Sequence, residues 1–340
     1  MSTFKFVGKS LAYSIISLIG LSVLVFVLAR VLPGNPARAA LGPNAPPEAV
    51  QALMQQLHLN EPLYIQYWYW ISGIFTGNWG LSLYTHRNVL LDVEQFFPAT
   101  LELIIMAGII DLLLAIPLGL LAGKMENTYV DNIIRVLTYI GIAIPSFVVA
   151  IFLQLIFGYG LHLFPIIGEL SPGVTPPPRI TGLYVIDGLL TGEFNVVVDA
   201  IWHLILPSFS LALGPLAQEA RILRSAVVEN KNSDFTLSEI SHGLPDSIIT
   251  TKYLLKPSLI PMITIYALDI SSIIANAFLI EFIFNWPGIS RYGLNAMLSK
   301  DLNGIIAVVM IAGVLFVIAN TLVDVIIGYL DPRSREEVSD

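Results

Sequence analysis

The sequence contains no cysteine and few charged residues. Of its 340 residues, 12% are charged whereas 55% are hydrophobic, and the mean hydropathy is +0.76. A water-facing surface needs more charged side chains than this. The lack of cysteine excludes disulfides, thiolate metal sites and a cysteine nucleophile. The net charge of −8 provides no basic surface for nucleic acid. The composition therefore indicates an integral membrane protein in contact with lipid.

Motifs for catalysis are also absent. Gly8-Lys9-Ser10 resembles the end of a phosphate-binding loop, but Thr3 stands where that motif requires its first glycine. The sequence has neither a zinc-protease HExxH motif nor a Gly-x-Ser-x-Gly nucleophile elbow. Its histidines lack ligand spacing and are scattered as His58, His86, His162, His203 and His242. We therefore predict that this chain is not an enzyme, does not hydrolyse ATP, and binds neither a metal nor another cofactor.

Long apolar runs are the main structural signal. A membrane-spanning helix needs about 20 mainly apolar residues. The first run follows Lys9 and has no small-residue cleavage site after it, so we interpret it as a retained helix and not a signal peptide. The pattern predicts an all-α, polytopic membrane protein with about six spans: Leu11–Ala29, Ala99–Gly123, Val136–Gly160, Val197–Ala217, Leu259–Phe284 and Ile305–Leu330. Pro117, Pro145 and Pro207 are expected inside spans, which requires a bundle of neighbouring helices.

The distribution of Lys and Arg predicts the orientation, because basic loops stay on the cytoplasmic side. With the N-terminus inside, the cytoplasmic segments carry Lys5, Lys9, Lys124, Arg135, Arg221, Arg224, Lys231, Lys252, Lys256, Arg333 and Arg335. The longer outer segments carry only Arg30, Arg38, Arg87, Arg179, Arg291 and Lys300. Both termini are therefore expected in the cytoplasm.

Two outer loops are long. The loop from Arg30 to Pro98 is rich in aromatic residues, which suit a membrane interface or a docking surface, or which merely cover the outer rim of the bundle. These residues are Tyr64, Tyr67, Trp68, Tyr69, Trp70, Trp79 and Tyr84. The loop from Leu161 to Val196 contains three consecutive prolines and several glycines, so it is expected to be irregular.

The cytoplasmic segment between the fourth and fifth spans has a helix-Gly-helix pattern. Asp234 is a suitable N-cap, and Gly243 followed by Pro245 is a typical helix stop. Asp246 can cap a second helix that runs towards Pro261. The apolar positions of the first helix are Phe235, Ile240 and Leu244. Such an element is either a rigid knob for a partner or an ordinary surface helix.

Ionisable residues inside spans need an explanation, because a charge near the bilayer centre costs at least about 3 kcal/mol. Asp111 and Asp269 are expected to face the bundle interior, where they either line a solute path or pair structurally. Nearer the span ends, Glu102, Glu281 and Asp324 are expected at the membrane interface. Asn276 and Asn320 are candidates for hydrogen bonds between helices.

An ordered series of motifs extends along nearly the whole chain. It comprises Pro33-Gly34-Asn35-Pro36, Leu57 to Leu63 with Gln66-Tyr67, Gly80-Leu81-Ser82, Pro98 to Leu103, Ile144 to Phe147, Glu281 with Phe284 to Gly288 (including Pro287), Asp301, Asn320, Asp324, and Tyr329 through Asp331-Pro332-Arg333. This series resembles the dipeptide/oligopeptide/nickel permeases of binding-protein-dependent ABC importers. The resemblance implies a type I importer (MetI-like) permease fold in the cell membrane.

The resemblance also implies the partners and a coupling site. A homologous second permease, two ATPase subunits that bind ATP and Mg, and an extracytoplasmic solute-binding protein complete such an importer. Its ATPase-coupling segment corresponds to residues 234–261, within which the implied residues are Asp234, Phe235, Glu239, Ile240, His242, Gly243, Leu244 and Pro261. Residues 237–242 depart from the family's basic, Ala-rich pattern, which implies a dedicated ATPase or weakened coupling. Asp111 and Asp269 are unusual at their positions and, with Asn276, are candidate pathway residues.

The expected organisation is an N-terminal helix with a long outer loop (1–97), a permease core (98–333) and a cytoplasmic tail (334–340). The expected solutes are peptides, with oligosaccharides or nickel as alternatives. Two rivals remain: a secondary transporter whose coupling proton is carried by Asp111 or Asp269, and an intramembrane protease that uses both as a dyad. The first predicts inverted repeats and the second a Gly-x-Gly-Asp element, neither of which the sequence contains.

Overall fold

The computed structural model describes residues 3–31, 36–42, 44–56 and 58–330, and the regular structure in these ranges is helical. Two π-helical stretches occur, Gln154–Gly160 directly after α7 and Ile249–Leu255 directly before α12. The helices are α1 (Thr3–Val31), α2 (Pro36–Leu41), α3 (Pro47–Gln56), α4 (Leu63–Phe75), α5 (Val89–Lys124), α6 (Tyr129–Ala143), α7 (Ser146–Leu153), α8 (Tyr184–Thr191), α9 (Phe194–Lys231), α10 (Asp234–Ser241), α11 (Asp246–Ile248), α12 (Lys256–Ile283), α13 (Ile289–Leu298) and α14 (Leu302–Leu330).

The helices account for the predicted spans, so the chain is an all-α, multi-pass membrane protein. Among the described residues, four helical stretches are long and apolar enough to cross a membrane: Val89–Lys124, Phe194–Lys231, Asp246–Ile270 and Leu302–Leu322. The helices from Tyr129 to Ala143 and from Ser146 to Gly160 pass the same test only as a bent pair, which would make a fifth span. The first predicted span lies in α1, whose residues Ala12–Leu28 form a shorter apolar helix.

The third predicted span is broken at Pro145. The helix before it and the helix after it are bent by 108°. Pro145 lacks an N–H group and disfavours a helical conformation of the residue before it, and Ile144 has an extended ψ of 124°. Pro145 therefore lies at the break of the third predicted span and not within one of its helices. Pro117 and Pro207 do lie inside α5 and α9, and α9 also contains Pro215.

The chain divides into two compact units, of which the first includes residues 101–286 and the second comprises residues 12–100 and 287–317. In the first unit, α5 and α9 approach closely through small residues. A Cβ atom on Gly119 would lie 2.8 Å from the carbonyl oxygen of Ala220, and one on Gly123 would lie 2.6 Å from the Cβ of Val227. This is the small-xxx-small packing by which membrane helices associate. Ala115, one turn before Gly119, belongs to the same buried core.

In the second unit, α4 packs on α1. Phe26 lies 5.3 Å from Tyr67 in an edge-to-face contact and 5.6 Å from Trp70. The hydroxyl groups of Ser22 and Tyr67 are 2.7 Å apart. Tyr64 and Trp68 point elsewhere and remain 74% and 69% exposed. The aromatic residues of this predicted loop therefore divide between the packing of the unit and its exposed surface.

Several of the quoted motifs meet in this second unit. Ser82 donates a hydrogen bond to the buried carboxylate of Asp301, and the side-chain amide of Asn303 donates to the Leu81 carbonyl at 2.9 Å. Gly80 has a φ of +83° and lies against Asn303, so both its conformation and its surroundings favour glycine. The Ile289 amide at the start of α13 donates to the hydroxyl of Thr100 at 2.7 Å. Motifs far apart in sequence thus meet at shared hydrogen bonds.

The second predicted outer loop is largely irregular, as expected, but it contains α8. Glu102 accepts hydrogen bonds from the backbone amides of Tyr184 (3.2 Å) and Val185 (2.7 Å) at the start of that helix. Asp199 accepts from both the amide and the hydroxyl of Ser171 at 2.7 Å. Acidic side chains therefore satisfy backbone groups that a helix or sheet would otherwise pair.

We predict that Gly119→Ala lowers the stability of the protein by about 1–3 kcal/mol, because the new methyl group meets the backbone of α9. The measurement is the thermal unfolding of the purified chain in mild detergent. Gly214→Ala is the matched control, since a Cβ there has no heavy atom within 4 Å. Equal stability of the two variants would show that the contact between α5 and α9 is not tight.

Candidate functional site

A polar cavity of about 350 Å³ lies in the first unit. Three elements form its walls: the bend between α6 and α7, the middle of α9, and α12. Pro215 has no N–H group and so cannot donate a hydrogen bond to the carbonyl of Leu211; both residues line the cavity. The polar side chains that line the cavity are Ser146, Ser210, Gln218, Asp269, Ser272 and Asn276.

Asp269 is the acidic group of this cavity. Its side chain is half-buried, and its Oδ2 accepts a hydrogen bond from Nε2 of Gln218 at 3.3 Å. Asn276 is exposed and donates to the carbonyl of Ser272 on its own helix at 2.9 Å. In the described residues, this bond lies within α12 and not between helices, contrary to the first expectation for Asn276. The cavity can thus offer a carboxylate, amides and hydroxyls to a polar solute.

Asp111 is fully buried in the bundle interior, as expected, but it does not line the cavity. It interacts with Glu219 of α9, which is also fully buried and which sequence reasoning missed. The predicted fourth span ended at Ala217, whereas α9 continues to Lys231. The spacing of Glu219 from the buried Leu216 and Leu223 is the signal that would have placed it on the inner face.

An ion pair between α6 and α9 was also missed. Arg224 donates to Oδ1 and Oδ2 of Asp131 at 2.6 and 2.7 Å, and the carboxylate of Asp131 is fully buried. This two-bond geometry is the strong form of the arginine–carboxylate interaction. Arg224 had been counted only as a basic residue of a loop. Residues separated by ninety positions in sequence give no local pattern that would predict their pairing.

The helix-Gly-helix segment has the expected order but different caps. Ser233 is the N-cap of α10 and Asp234 is its first residue, so the expected cap at Asp234 was wrong. Pro245 precedes α11, and Asp246 forms an ion pair with Lys124 at 2.5 Å instead of capping the helix. Gly243 has a φ of +75°, which is the left-handed stop that the sequence predicted.

One side of this segment is anchored to the bundle. Ile249 and Leu254 belong to the buried core around α5 and α9, and Leu244 packs against that core. The Asn230 amide donates to the Ser258 hydroxyl at 2.8 Å, which joins the end of α9 to the start of α12. The segment is therefore held at both ends by contacts within its own unit.

Apolar side chains around α10 are uncovered in this chain. Phe235, Leu237 and Ile240 are 48%, 49% and 50% exposed. Three large apolar side chains on two turns of helix form the kind of surface that protein partners bind. Of the other predicted coupling residues, Glu239 is half-buried, whereas His242 and Pro261 are exposed.

Some of the remaining motif residues are buried. Glu102 and Glu281, which were expected near span ends, are enclosed within the protein. Gly288 is the N-cap of α13, directly after Pro287. The side chain of Asp324 and the whole of Pro33-Gly34-Asn35, Leu57 and Asp331-Pro332-Arg333 lie outside the described residues.

Glu169, in the irregular segment between α7 and α8, lies near both of these buried glutamates. Burial raises the pKa of Glu169 to about 8, and repulsion from Glu102 and Glu281 adds to the effect. For Asp187, burial also opposes ionisation, but hydrogen bonds from residues 180–182 outweigh it and lower the pKa. At neutral pH Glu169 therefore favours its protonated form and Asp187 its charged form. Among the described residues, no three acidic or histidine side chains are placed to hold a metal ion.

Comparison with known proteins found similar sequences along nearly the whole chain. The family profile described as "Binding-protein-dependent transport system inner membrane component" matches residues 115–336, and the corresponding N-terminal profile matches residues 3–104. The chain is 35% identical to the "Probable D,D-dipeptide transport system permease protein DdpB" of Escherichia coli (strain K12), over 92% of each chain. It is 34% identical to the "Dipeptide transport system permease protein DppB" of Alkalihalophilus pseudofirmus, over 94% of this chain and 95% of the relative. It is 30% identical to the "Oligopeptide transport system permease protein AppB" of Bacillus subtilis (strain 168), over 94% and 96%.

We predict that the stability of the protein falls as the pH rises from about 4.5 to about 8, because a raised carboxyl pKa favours folding only while the proton is bound. Glu169→Gln should remove the part of this decline that Glu169 causes, which is at most about 5 kcal/mol for a pKa raised from 4.5 to about 8. Unfolding temperatures at a series of pH values measure the effect. Asp187→Asn is the control with opposite sign, because its lowered pKa contributes stability that is lost as the pH falls. An unchanged slope in Glu169→Gln would contradict the assignment.

Proposed function

The chain belongs to the family of inner membrane components of binding-protein-dependent transport systems, and from that premise we propose that it forms half of the translocation pathway of an ATP-driven peptide importer. Two profile matches, which together cover residues 3–104 and 115–336, carry this conclusion. Support for peptides as solutes comes from the relatives named as dipeptide or oligopeptide permeases. Oligosaccharides and nickel remain the alternative solutes.

The cavity beside the bend at Pro145 is the proposed part of the pathway. Asp269 and Asn276 line it directly, whereas Asp111 is buried and does not line it. An acidic, amide-rich cavity attracts cationic groups and repels anions. Neutral peptides and peptides with a positive charge are therefore the preferred solutes. The amino group of a peptide is a suitable donor to the Asp269 carboxylate.

The proposed mechanism is alternating access with three kinds of protein partner. A solute-binding protein delivers the peptide outside, a homologous second permease completes the pathway, and two ATPase subunits bind ATP and Mg. In the proposed topology both termini are cytoplasmic, residues 1–97 form the first helix and outer loop, residues 98–333 form the core, and 334–340 form the tail. The segment 234–261 then faces the ATPases.

Coupling is proposed to occur at α10. Its exposed apolar side chains, Phe235, Leu237 and Ile240, suit insertion into a cleft of the ATPase. The chain that follows α10 is fixed to the bundle through Leu244, Ile249 and the Lys124–Asp246 ion pair. A segment with an exposed first helix and a fixed continuation can pass a movement of the ATPase to α9 and α12. Glu239, His242 and Pro261 complete the proposed contact region.

The coupling proposal is tested at Gly243, which has a left-handed conformation in open surroundings, since a Cβ atom added there would have no heavy atom within 4 Å. Gly243→Val should release the ATPase from the permease complex purified in mild detergent, because valine disfavours that conformation. Gly243→Asn should retain more ATPase, since asparagine tolerates it.

Gly192→Val provides the matched control for Gly243→Val. Gly192 has a φ of +77° and equally open surroundings, but it follows α8 and not α10. ATPase should remain bound to this variant. Loss of ATPase from both valine variants would indicate general misfolding. If the wild-type chain purifies without an ATPase and still moves solute in liposomes, an ion-coupled secondary transporter replaces the importer.

The pathway proposal is tested at Asp269. In reconstituted complex with its binding protein, Asp269→Asn should reduce uptake of dipeptides with a free amino terminus by about tenfold, as expected for about 1.4 kcal/mol of lost interaction. Uptake of the same dipeptides with an acetylated amino terminus should change much less. Asn276→Asp is the reciprocal variant, which adds a carboxylate to the same cavity. A wild-type preference for anionic solutes would overturn the proposal.

A further inference from the structure

Two carboxyl groups are buried in the first unit, and no other group of the described residues donates a hydrogen bond to them. Asp111 of α5 and Glu219 of α9 are both 0% exposed. Within the described residues, none of their four carboxyl oxygens has a hydrogen-bond partner from the rest of the protein, and neither group forms an ion pair with a basic side chain. A buried polar atom without a partner costs free energy and needs an explanation.

The helices leave these groups little freedom to separate. Asp111 precedes Ala115 and Gly119 at intervals of four residues, so all three lie on one side of α5. That side packs directly on α9, where a side chain on Gly119 would collide with Ala220, the residue after Glu219. The close approach of the two helices therefore keeps the two carboxyl groups side by side and excludes water from them.

The surroundings supply no positive charge. The ionisable groups that act on the pair from α12 are Asp269, which adds negative charge, and Tyr266. The Tyr266 hydroxyl is directed to the carbonyl of Gly108, at 3.3 Å, one turn before Asp111. Two adjacent negative charges without a counter-ion would each carry the cost of burial and would repel each other. One proton removes one of these charges and supplies a donor for the other group.

We propose that Asp111 and Glu219 form a proton-binding site in which one proton is shared as an O–H···O hydrogen bond between α5 and α9. This hydrogen bond involves one oxygen of each carboxyl group and joins α5 to α9. When the proton is lost, two like charges face each other where α5 packs on α9, so the two helices are driven apart. Since α9 leads into the segment 234–261, proton occupancy is linked to the position of that segment.

The test is infrared spectroscopy of the purified full-length chain in lipid nanodiscs. All proteins carry Glu169→Gln, so that the glutamic acid with a pKa of about 8 does not contribute a signal. The spectrum of the double variant Asp111→Asn, Glu219→Gln is subtracted from that of the parent at pH 7. We expect the difference to contain the C=O stretch of a protonated carboxylic acid. Raising the pH should convert that band to carboxylate bands.

Asp187→Asn is the control for the subtraction. Its buried carboxylate accepts hydrogen bonds from Ile180, Thr181 and Gly182, so its removal should delete carboxylate bands and no acid band. A difference spectrum of the pair that shows only carboxylate bands at pH 7 would overturn the proposal. Carboxylate bands that shift when sodium replaces potassium would overturn it in favour of a bound cation.

A second measurement does not depend on the double variant folding. The unfolding temperature of the parent should fall over the pH range in which the acid band is lost, and either single amide variant should show a smaller fall because two carboxylates can no longer repel each other. Equal falls in the parent and in both single variants would contradict a shared proton. These measurements need no transport, so they succeed or fail independently of the proposed import function.

Discussion

The close contact between α5 and α9 is the constraint on which the rest of the first unit depends. Hydrocarbon offers neither water nor counter-ions, so helices in a bilayer must meet their polar requirements among themselves. Gly119 and Gly123 permit this contact, and the ion pair between Asp131 and Arg224 joins α9 to α6 on another side. With α9 held between two neighbours, the wall that α9 contributes to the cavity beside Asp269 is held in place.

Acidic side chains accept many of the backbone hydrogen bonds in the irregular parts of the chain. Glu102 satisfies the first amides of α8, while Asp187 and Asp199 satisfy amides of the segment before it. A carboxylate accepts several such bonds at once, and therefore a long segment can be ordered without a helix or a strand. The acidic composition of the sequence is thus partly explained by backbone groups that need acceptors.

Much of the fold was predictable because hydropathy reports directly on lipid contact. The runs at α5, α9 and α14 were located correctly, and Gly243 was identified as a helix stop from its position before Pro245. The pairing of side chains between helices was not predictable. Asp111 pairs with Glu219, and Arg224 pairs with Asp131. Each pairing depends on how two helices are rotated about their axes, and no local sequence pattern indicates that rotation.

The π-helical stretch Ile249–Leu255 lies between the anchored end of the segment that contains α10 and the long helix α12. A π-helix pairs each amide with the carbonyl five residues earlier, so it holds one more residue than the α-helical ladder requires. Conversion of this stretch to α-helix would transfer its amides to the carbonyls four residues earlier and would turn α12 about its own axis relative to the segment before it. A push on α10 would then reach the cavity as a change in which side chains α12 presents to it.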